Sequence, residues 1–302
     1  MRVDVALIQR GLAPSRSKAK ALIEEGRVYL GDHQLFKASA ELSEDQIDEL
    51  RTEASPLLRY ASRAGLKLEA ALQRFEIKDL IRDQVVLDVG SSTGGFTDCA
   101  LNFGAKRVIA VDVGRDLMIP RLREDARVTL YEQTKVQDLA EDQLAQAQFV
   151  CCDVSFISLT KVVPTLKKSQ AQHFVLLIKP QFECGPQLAK RCRGVIKKAE
   201  DRYLILKQVL LALEDEGFLL RALSPSPIRG GDGNMEFISY WTLADAERIG
   251  CFDVNVNFKE AAKNTIDLAP ELASDREVKV LKKKYPLSLC PDFWAMLRQL
   301  CD

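Results

Sequence analysis

The stretch from Leu87 to Gly114 contains the residues best suited to chemistry. It places glycines and small hydroxyl residues between two short apolar runs, each of which ends in Asp-Val-Gly. A strand, a glycine-rich turn and a helix in this order form the nucleotide site of doubly wound α/β folds, because the bare turn lets a ligand approach the backbone. Asp112 lies 22 residues after Gly90, at the end of the second run. An acid at that position accepts hydrogen bonds from ribose hydroxyls. The turn residues expected to line the ligand are Gly90, Ser91, Ser92, Gly94, Gly95 and Phe96.

The spacing within the turn separates the possible ligands. The order G-S-S-T-G-G puts Ser92 where a dinucleotide fingerprint has its second glycine, and no Lys-Ser or Lys-Thr follows as in a P-loop. Asp88, just before the turn, suits a ligand whose amino-acid end is cationic, such as S-adenosylmethionine. The turn therefore favours a methyltransferase. A nicotinamide enzyme and a purely structural glycine turn remain open at this point.

Two lysines and two carboxylates form the candidate catalytic set. Asp153 and Lys179 follow the strand-like runs FVCC and HFVLLI, Glu236 precedes the last such run, and Lys67 lies on an amphipathic helix before the first strand. The carboxyl ends of parallel strands share one edge of a sheet, and an antiparallel last strand would begin there, so we expect the four to converge. With no histidine or cysteine nucleophile in the set, it suits removal of a proton from a poor acid such as a ribose hydroxyl. A lysine whose ammonium form is disfavoured by burial and by a second ammonium is then the general base. The alternative for each residue is a solvated strand end or a surface ion pair.

The elements that must position these residues alternate between strand and helix. A long helix is expected over 198–216, closed by Gly217. The last two strands are joined by SPSPIRGGDGN, which is too short for a crossover helix, so we expect them to pair antiparallel at the sheet edge. The fold class is therefore α/β and Rossmann-like, with a mostly parallel seven-stranded sheet. The expected strands are 84–89, 107–112, 128–131, 148–152, 173–179, 218–223 and 235–242.

Composition divides the chain into three parts. Residues 1–58 read as a small α+β module, with Ser15 as a possible N-cap of a helix that stops at Gly26. Residues 59–243 hold the α/β domain. Residues 244–302 are a C-terminal extension to which we assign no role, although PDFWAMLRQL within it has the pattern of an amphipathic helix.

Charge and cysteine content limit the classes of function. The chain has 43 basic and 43 acidic residues, so a nucleic-acid partner would have to be met by local patches. Eight cysteines form no CxxC pair and only two histidines accompany them, which argues against a metal site. Adjacent Cys151 and Cys152 read as reduced core thiols. The beginning of the sequence lacks the apolar core of a signal peptide, and nowhere do 18 apolar residues run together, so we expect a cytoplasmic location and no membrane partner.

At this level of detail the chain resembles the TlyA family of ribosomal RNA 2′-O-methyltransferases, once called haemolysins, whose catalytic domain is of the FtsJ type. The resemblance implies the catalytic set Lys67, Asp153, Lys179 and Glu236, and a cofactor site that includes Asp112 with its neighbour Val113, Asp138 beside the adenine, and Asp153. The motifs that carry the resemblance are RYASRAGLKL, LDVGSSTGGFTDCAL, VDVG, CDVSFISL, LIKPQFECG, RGVIK and GNMEFISYW.

The same resemblance identifies residues 1–58 as similar to a small RNA-binding unit of the S-four type. It implies S-adenosylmethionine as cofactor and ribosomal RNA or ribosomal subunits as partners. The cationic residues expected to follow an RNA backbone are Arg2, Arg16, Lys18 and Lys20. Two rival functions stay in view: a non-catalytic RNA-binding or assembly factor, and a membrane-active haemolysin.

Overall fold

The computed structural model describes residues 1–243, 281–282 and 297–302. These residues belong to two compact units, one made of residues 1–63 and the other of residues 64–243 with the two short C-terminal stretches. In the part of the chain so described, no helix is both long and apolar enough to cross a membrane. The same residues contain no cluster of three or more side chains suited to hold a metal ion.

The first unit packs helices against a small antiparallel sheet. Its strands lie in the order β2 (His33–Gln34), β1 (Val28–Leu30) and β3 (Leu50–Thr52). Helix α2 (Arg16–Glu24) begins after Ser15, whose hydroxyl accepts a hydrogen bond from the Lys18 amide at 3.3 Å. This confirms the predicted cap. The buried core is aliphatic and includes Leu7, Leu22 and Val28. The elements are α1 (Val3–Gln9), α2 (Arg16–Glu24), β1 (Val28–Leu30), β2 (His33–Gln34), α3 (Glu44–Asp48), β3 (Leu50–Thr52) and a 3-10 turn Pro56–Leu58.

The second unit is built on a mostly parallel sheet. Its strands are β4 (Val85–Val89), β5 (Arg107–Val111), β6 (Val128–Tyr131), β7 (Phe149–Cys152), β8 (His173–Ile178), β9 (Phe218–Pro225), β10 (Phe237–Leu243) and β11 (Leu281–Lys282). They lie in the order β11-β9-β10-β8-β7-β4-β5-β6. Strands β4 to β8 run parallel, and β10 runs antiparallel to both β8 and β9. The seven predicted strands and the antiparallel pair are confirmed, with β10 inserted between its neighbours and β9 outside it.

Helices accompany this sheet, and its central strands are apolar without alternation, as expected for strands covered on both faces. All four residues of β7 are buried, and the Phe174 and Phe218 rings meet edge to face at 5.0 Å between centroids. The helix predicted over 198–216 is α11, which ends before Gly217, a glycine with φ of +86°. The helices are α4 (Ala64–Arg74), α5 (Gly95–Asn102), α6 (Pro120–Arg123), α7 (Glu141–Leu144), α8 (Val163–Leu166), α9 (Pro180–Glu183), α10 (Gly185–Cys192) and α11 (Ala199–Asp215), with 3-10 turns Lys78–Leu80, Val136–Asp138 and Leu159–Lys161.

The last residues of the chain pack into the core of the second unit. Leu297, Leu300 and Cys301 are buried there, and the Arg202 Nε donates a hydrogen bond to the Cys301 carbonyl at 2.9 Å. Residues 297–300 are helical, and the rest of the predicted helix PDFWAMLRQL lies outside the described residues. Cys151 and Cys152 are fully buried free thiols whose pKa is raised by burial, which fits the core role predicted for them.

Candidate functional site

The predicted site residues lie at one edge of the large sheet. Gly90, Asp112, Asp153 and Lys179 directly follow β4, β5, β7 and β8, at the carboxyl ends of parallel strands. Glu236 precedes β10, which pairs antiparallel with β8 so that Phe237 lies opposite Ile178. This register places Glu236 beside Lys179. Because of these strand directions, residues that are up to 146 positions apart in the sequence, from Gly90 to Glu236, lie at the same edge of the sheet.

Lys67, Asp153, Lys179 and Glu236 form one alternating network of charges. Lys67 Nζ lies 2.6 Å from Glu236 Oε2 and 3.7 Å from Asp153 Oδ2. Lys179 Nζ lies 2.6 Å from Asp153 Oδ1, at an angle that makes this contact an ion pair rather than an aligned hydrogen bond. All four side chains are nearly inaccessible to solvent, with exposed fractions between 3% and 11%. Burial strengthens each of these attractions relative to water, since the solvent no longer screens them.

Local structure explains how each lysine reaches the network. Helix α4 packs against α5 and β10, and it carries Lys67 with its apolar neighbours Leu66 and Leu68 buried in the core. Lys179 keeps an extended backbone between β8 and α9, where Pro180 begins the helix. Proline is favoured at that first helical position because its missing N–H is not needed there. The side chain of Lys179 also donates a hydrogen bond to Ser155 Oγ at 2.9 Å.

Two residues that were not predicted from the sequence fix the position of the Glu236 carboxylate. Gln181 Nε2 donates to Glu236 Oε1 at 3.0 Å, while Lys67 occupies the other carboxylate oxygen. Gly230 packs directly against this carboxylate, since a Cβ at that position would lie 2.5 Å from Glu236 Oε1. Only glycine therefore fits at position 230 without displacing Glu236.

The glycine turn adopts backbone conformations that only glycine takes up readily, as its composition predicts. Gly90 has φ of +85°, and a Cβ there would lie 2.7 Å from the Asp153 carbonyl oxygen, so the turn and the charge network touch. Gly94 has φ of +94°, in the left-handed region that favours glycine. The Asp112 carboxylate is aimed by backbone amides, accepting from Ser92 N–H at 2.8 Å and from Gly114 N–H at 2.7 Å. Each of its oxygens retains a lone pair for a ligand hydroxyl.

Asp88 is the buried acid beneath this turn. Thr97 Oγ1 donates to Asp88 Oδ2 at 2.6 Å, whereas Asp88 Oδ1 and the neighbouring Ser91 Oγ are buried without a partner among the described residues. Burial, reinforced by the charge of Asp153, raises the pKa of Asp88 to about 7. A buried carboxylate oxygen that lacks a donor fits the ammonium group of an amino-acid ligand. The residues present therefore fit S-adenosylmethionine.

The other predicted cofactor contacts differ in their surroundings. Val113 is 69% exposed and Asp138 is exposed at the end of its 3-10 turn, so both are open to a ligand. Gly95 and Phe96 begin helix α5, and the Phe96 ring is buried in the protein. Their roles toward the cofactor stay predictions.

An aromatic pair beside Lys179 is a further feature that the sequence analysis missed. The Phe156 ring is 90% exposed and lies 4.9 Å from the Phe182 ring, which in turn lies 5.8 Å from Lys179 Nζ. Phe156 has φ of +64°, a conformation that is rare and strained for a bulky residue. The available signal was a phenylalanine three positions after Asp153, between Ser155 and Ile157.

In the first unit, the predicted RNA-binding residues separate into exposed and buried positions. Arg2 and Arg16 both pair with the buried Asp4, at 3.0 and 3.1 Å, and remain partly exposed, as is Lys20. Burial alone would raise the pKa of Asp4, but the hydrogen bonds and charges of these two arginines outweigh it and hold the pKa below its ordinary value. Lys18 instead is buried, and its ammonium donates to the Tyr60 carbonyl at 2.8 Å. The structure therefore does not place Lys18 on the exposed surface with the others.

Comparison with known families agrees with this geometry. Residues 60–243 match the FtsJ-like methyltransferase family, and residues 1–44 match the S4 domain. The chain belongs to the FtsJ-like methyltransferase family. This confirms the predicted family and its methyl donor, S-adenosylmethionine.

Relatives of this FtsJ-like methyltransferase align along most of its length. A Bacillus subtilis protein named YqxC, described provisionally as an rRNA methyltransferase, is 41% identical over 241 residues, or 78% of this chain and 84% of that protein. Hemolysin A of Brachyspira hyodysenteriae is 34% identical over 80% of this chain and its own full length. The 16S/23S rRNA (cytidine-2′-O)-methyltransferase TlyA of Mycobacterium tuberculosis is 34% identical over 82% of this chain and 91% of its own.

A solved structure shares the architecture. A Streptococcus thermophilus protein, described provisionally as a hemolysin, superposes with a TM-score of 0.63 at 35% sequence identity. The match covers 81% of this chain and 89% of that one.

Proposed function

We propose that this FtsJ-like methyltransferase transfers a methyl group from S-adenosylmethionine to a ribose 2′-hydroxyl of ribosomal RNA. The observation that carries the proposal is the convergence of Lys67, Asp153, Lys179 and Glu236 next to the glycine turn. Relatives with this activity in their names support the substrate class. The complete set of four favours catalysis over a purely RNA-binding role.

For this reaction the protein must align the methyl donor with the ribose 2′-hydroxyl and remove the proton of that hydroxyl. When bound, S-adenosylmethionine supplies an electrophilic methyl group on its sulfonium sulfur. Asp112 would hold the ribose of this cofactor and Asp88 its ammonium, since each presents carboxylate capacity beside the turn. Val113 and Asp138 are exposed, and we propose that they contact the adenine end of the cofactor.

Lys179 is the proposed general base. In its neutral amine form it accepts the proton of the 2′-hydroxyl as the oxygen–methyl bond forms and the sulfur–methyl bond breaks. Asp153, 2.6 Å away, stabilises the ammonium that results. A positioned acid–base group of this kind contributes about 10²–10⁴-fold to the rate.

Lys67 and Glu236 are proposed to keep this base in place. Lys67 contacts both carboxylates, so its positive charge offsets the repulsion between Asp153 and Glu236. Glu236 is in turn fixed by Gln181 and by the close approach of Gly230. Lys179 is thus supported by side chains whose own positions are fixed by further contacts, as a preorganised site requires.

Phe156 is proposed to stack on the base of the target nucleotide. Its exposed ring packs on Phe182, which lies beside Lys179, and aromatic faces bind unpaired bases of RNA. In the first unit, Arg2, Arg16 and Lys20 are proposed to contact RNA phosphates, with Lys18 supporting the module by its bond to Tyr60. Ribosomal subunits, which present folded RNA, are the proposed partners.

The chemical identity of the methylated atom tests this function. The protein is incubated with labelled S-adenosylmethionine and ribosomal RNA, and the RNA is then digested to nucleosides for mass spectrometry. We expect label in a 2′-O-methylnucleoside, formed about 10²–10⁴-fold more slowly when Lys179→Ala replaces the unsubstituted protein. Label on a base, or no transfer to any ribosomal RNA, would contradict the proposal.

A further inference from the structure

A run of exposed cations lies in the catalytic unit itself. Residues 190–198, here called the basic segment, contain five basic residues and no acid, in a chain whose total charge is balanced. All five are exposed. The overall composition does not account for this local concentration of positive charge. A binding partner or internal ion pairs would neutralise it. The five residues are Lys190, Arg191, Arg193, Lys197 and Lys198.

Among the described residues, internal ion pairs account for one of the five cations. Arg191 lies 3.2 Å from Asp201, and the adjacent acid, Glu200, is engaged by Arg298 at 2.9 Å. Glu183, the nearest preceding acid, is turned toward Ser158 and the Leu159 amide. Within residues 1–243, 281–282 and 297–302, no carboxylate forms an ion pair with the other four cations.

The backbone of the basic segment is fixed beside the charge network. The buried Asn234 donates from Nδ2 to the Gly194 carbonyl at 2.9 Å and accepts at Oδ1 from the Ile196 amide, also at 2.9 Å. Asn234 stands two positions before Glu236, so it joins the segment to the loop that delivers this carboxylate.

A second anchor holds the other end of the segment. Arg202 donates from Nη1 to the Lys197 carbonyl at 2.8 Å and to the Ile196 carbonyl at 3.2 Å, while its Nε binds the carbonyl of Cys301. The guanidinium is buried. The cations are therefore mounted on a backbone that is ordered before any partner arrives, which lowers the entropy lost on binding.

We propose that the basic segment binds phosphates of the substrate RNA next to the target nucleotide. The inference rests on the proposed function, and it adds a phosphate-binding surface in the second unit to the RNA-binding residues proposed for the first. The segment carries no large exposed apolar side chain, so it lacks the apolar centre that protein interfaces use, whereas phosphate binding needs only placed cations.

The test compares two sets of three lysines. In the first variant, Lys190→Ala, Lys197→Ala and Lys198→Ala are combined. The matched control combines Lys78→Ala, Lys106→Ala and Lys168→Ala, exposed lysines at the opposite edge of the sheet, where the parallel strands begin. A third variant replaces the same three segment lysines by arginine and so keeps the charge. RNA affinity is measured at several salt concentrations with deproteinised ribosomal RNA and with assembled ribosomal subunits.

We expect the first variant to bind deproteinised RNA about 10- to 100-fold more weakly at ~0.1 M salt, with a salt slope reduced by about 2–3. The control and the arginine variant should match the unsubstituted protein. Binding of S-adenosylmethionine and the single-turnover rate at saturating RNA should not change in any of them.

Equal affinity and equal salt slope in the first variant and the control would overturn the proposal. A loss seen only with assembled subunits would also overturn it, because the proposal requires the segment to bind the RNA itself. Failure of the proposed function would appear differently, as an absence of methyl transfer to RNA by the unsubstituted protein.

Discussion

Each unit buries carboxylates against pairs of cations, but the two units use different cations. In the first unit, Asp4 is flanked by Arg2 and Arg16, at 3.0 and 3.1 Å. In the second, Asp153 is flanked by Lys67 and Lys179, at 3.7 and 2.6 Å. A guanidinium keeps its proton in proteins, whereas a lysine amine can give up and regain one.

This difference separates a structural cluster from one that we propose to be reactive. The arginines of the first unit hold α1 and α2 together through Asp4 and leave part of their charge at the surface. The lysines of the second unit are almost entirely buried, and one of them, Lys179, is the proposed general base. Similar geometry therefore predicts different responses to the same kind of substitution.

Exchanging the cation type should give the largest contrast. Lys179→Arg keeps the positive charge but removes the base, so we expect turnover to fall by about 10²–10⁴-fold. The reciprocal Arg16→Lys keeps both charge and salt bridge, and methyl transfer should stay within a fewfold of normal. Steady-state kinetics on ribosomal RNA measures both. A Lys179→Arg protein with near-normal turnover would show that the two clusters do not differ in the way proposed.

A glycine pair tests how tightly the reactive cluster is held. Gly230→Ala places a methyl group against Glu236, and a displacement of about 1 Å near a reacting centre can cost ~10²-fold in rate. Gly231→Ala is the matched control, since a Cβ there has no neighbour within 4 Å. The loss should appear in kcat rather than in RNA affinity. Equal kcat values for the two variants would mean that Glu236 need not be fixed.

Removing the exposed ring should weaken substrate binding more than chemistry. Phe156→Ala is expected to cost about 1–3 kcal/mol of RNA binding, the usual value of one stacked base. Phe156→Trp should restore most of this affinity, while Phe36→Ala, an exposed ring of the first unit, serves as control. Fluorescence titration with ribosomal RNA provides the measurement. Unchanged affinity in Phe156→Ala would exclude stacking by this ring.

Asp88 predicts a pH dependence that Asp4 does not. The pKa of Asp88 in the folded protein is about 7, above its ordinary 3.8, so folding favours its protonated form. Its stabilising contribution is present at low pH and is lost as pH rises toward about 7. Cofactor affinity is expected to depend on pH in the opposite direction and to rise with pH. The reason is that the ammonium group of S-adenosylmethionine would pair with the ionised carboxylate of Asp88.

Calorimetric titration from about pH 6 to 7 should therefore show S-adenosylmethionine binding more tightly by up to ~10-fold per pH unit. Asp88→Asn should bind weakly with little pH dependence. A flat profile in the unsubstituted protein would remove Asp88 from the cofactor site.

The sequence predicted the sheet and the convergence at its edge because both follow from strand polarity. Strands β7 and β8 are parallel neighbours, so their carboxyl ends lie side by side, and Asp153 and Lys179, which follow these ends, lie close together. Lys18 shows the limit of such reasoning. Its charge and its place in α2 were visible, but its bond to the Tyr60 carbonyl depends on a segment 42 positions away.

The residues that support Glu236 were hidden for the same reason. Gln181 and Gly230 are ordinary in sequence and acquire their roles only when β10 enters between β8 and β9. Phe156 was not predicted either, because neither its left-handed backbone nor the exposure of its ring can be inferred from residue type.

Single-turnover methyl transfer by Lys179→Ala, at saturating ribosomal RNA and S-adenosylmethionine, tests the central claim most directly. Binding of both substrates, measured separately, should stay close to normal because the glycine turn, the first unit and the basic segment are untouched. The predicted result is a rate lower by about 10²–10⁴-fold. A rate within about threefold of the unsubstituted protein, well short of any general-base contribution, would rule out Lys179 as the base.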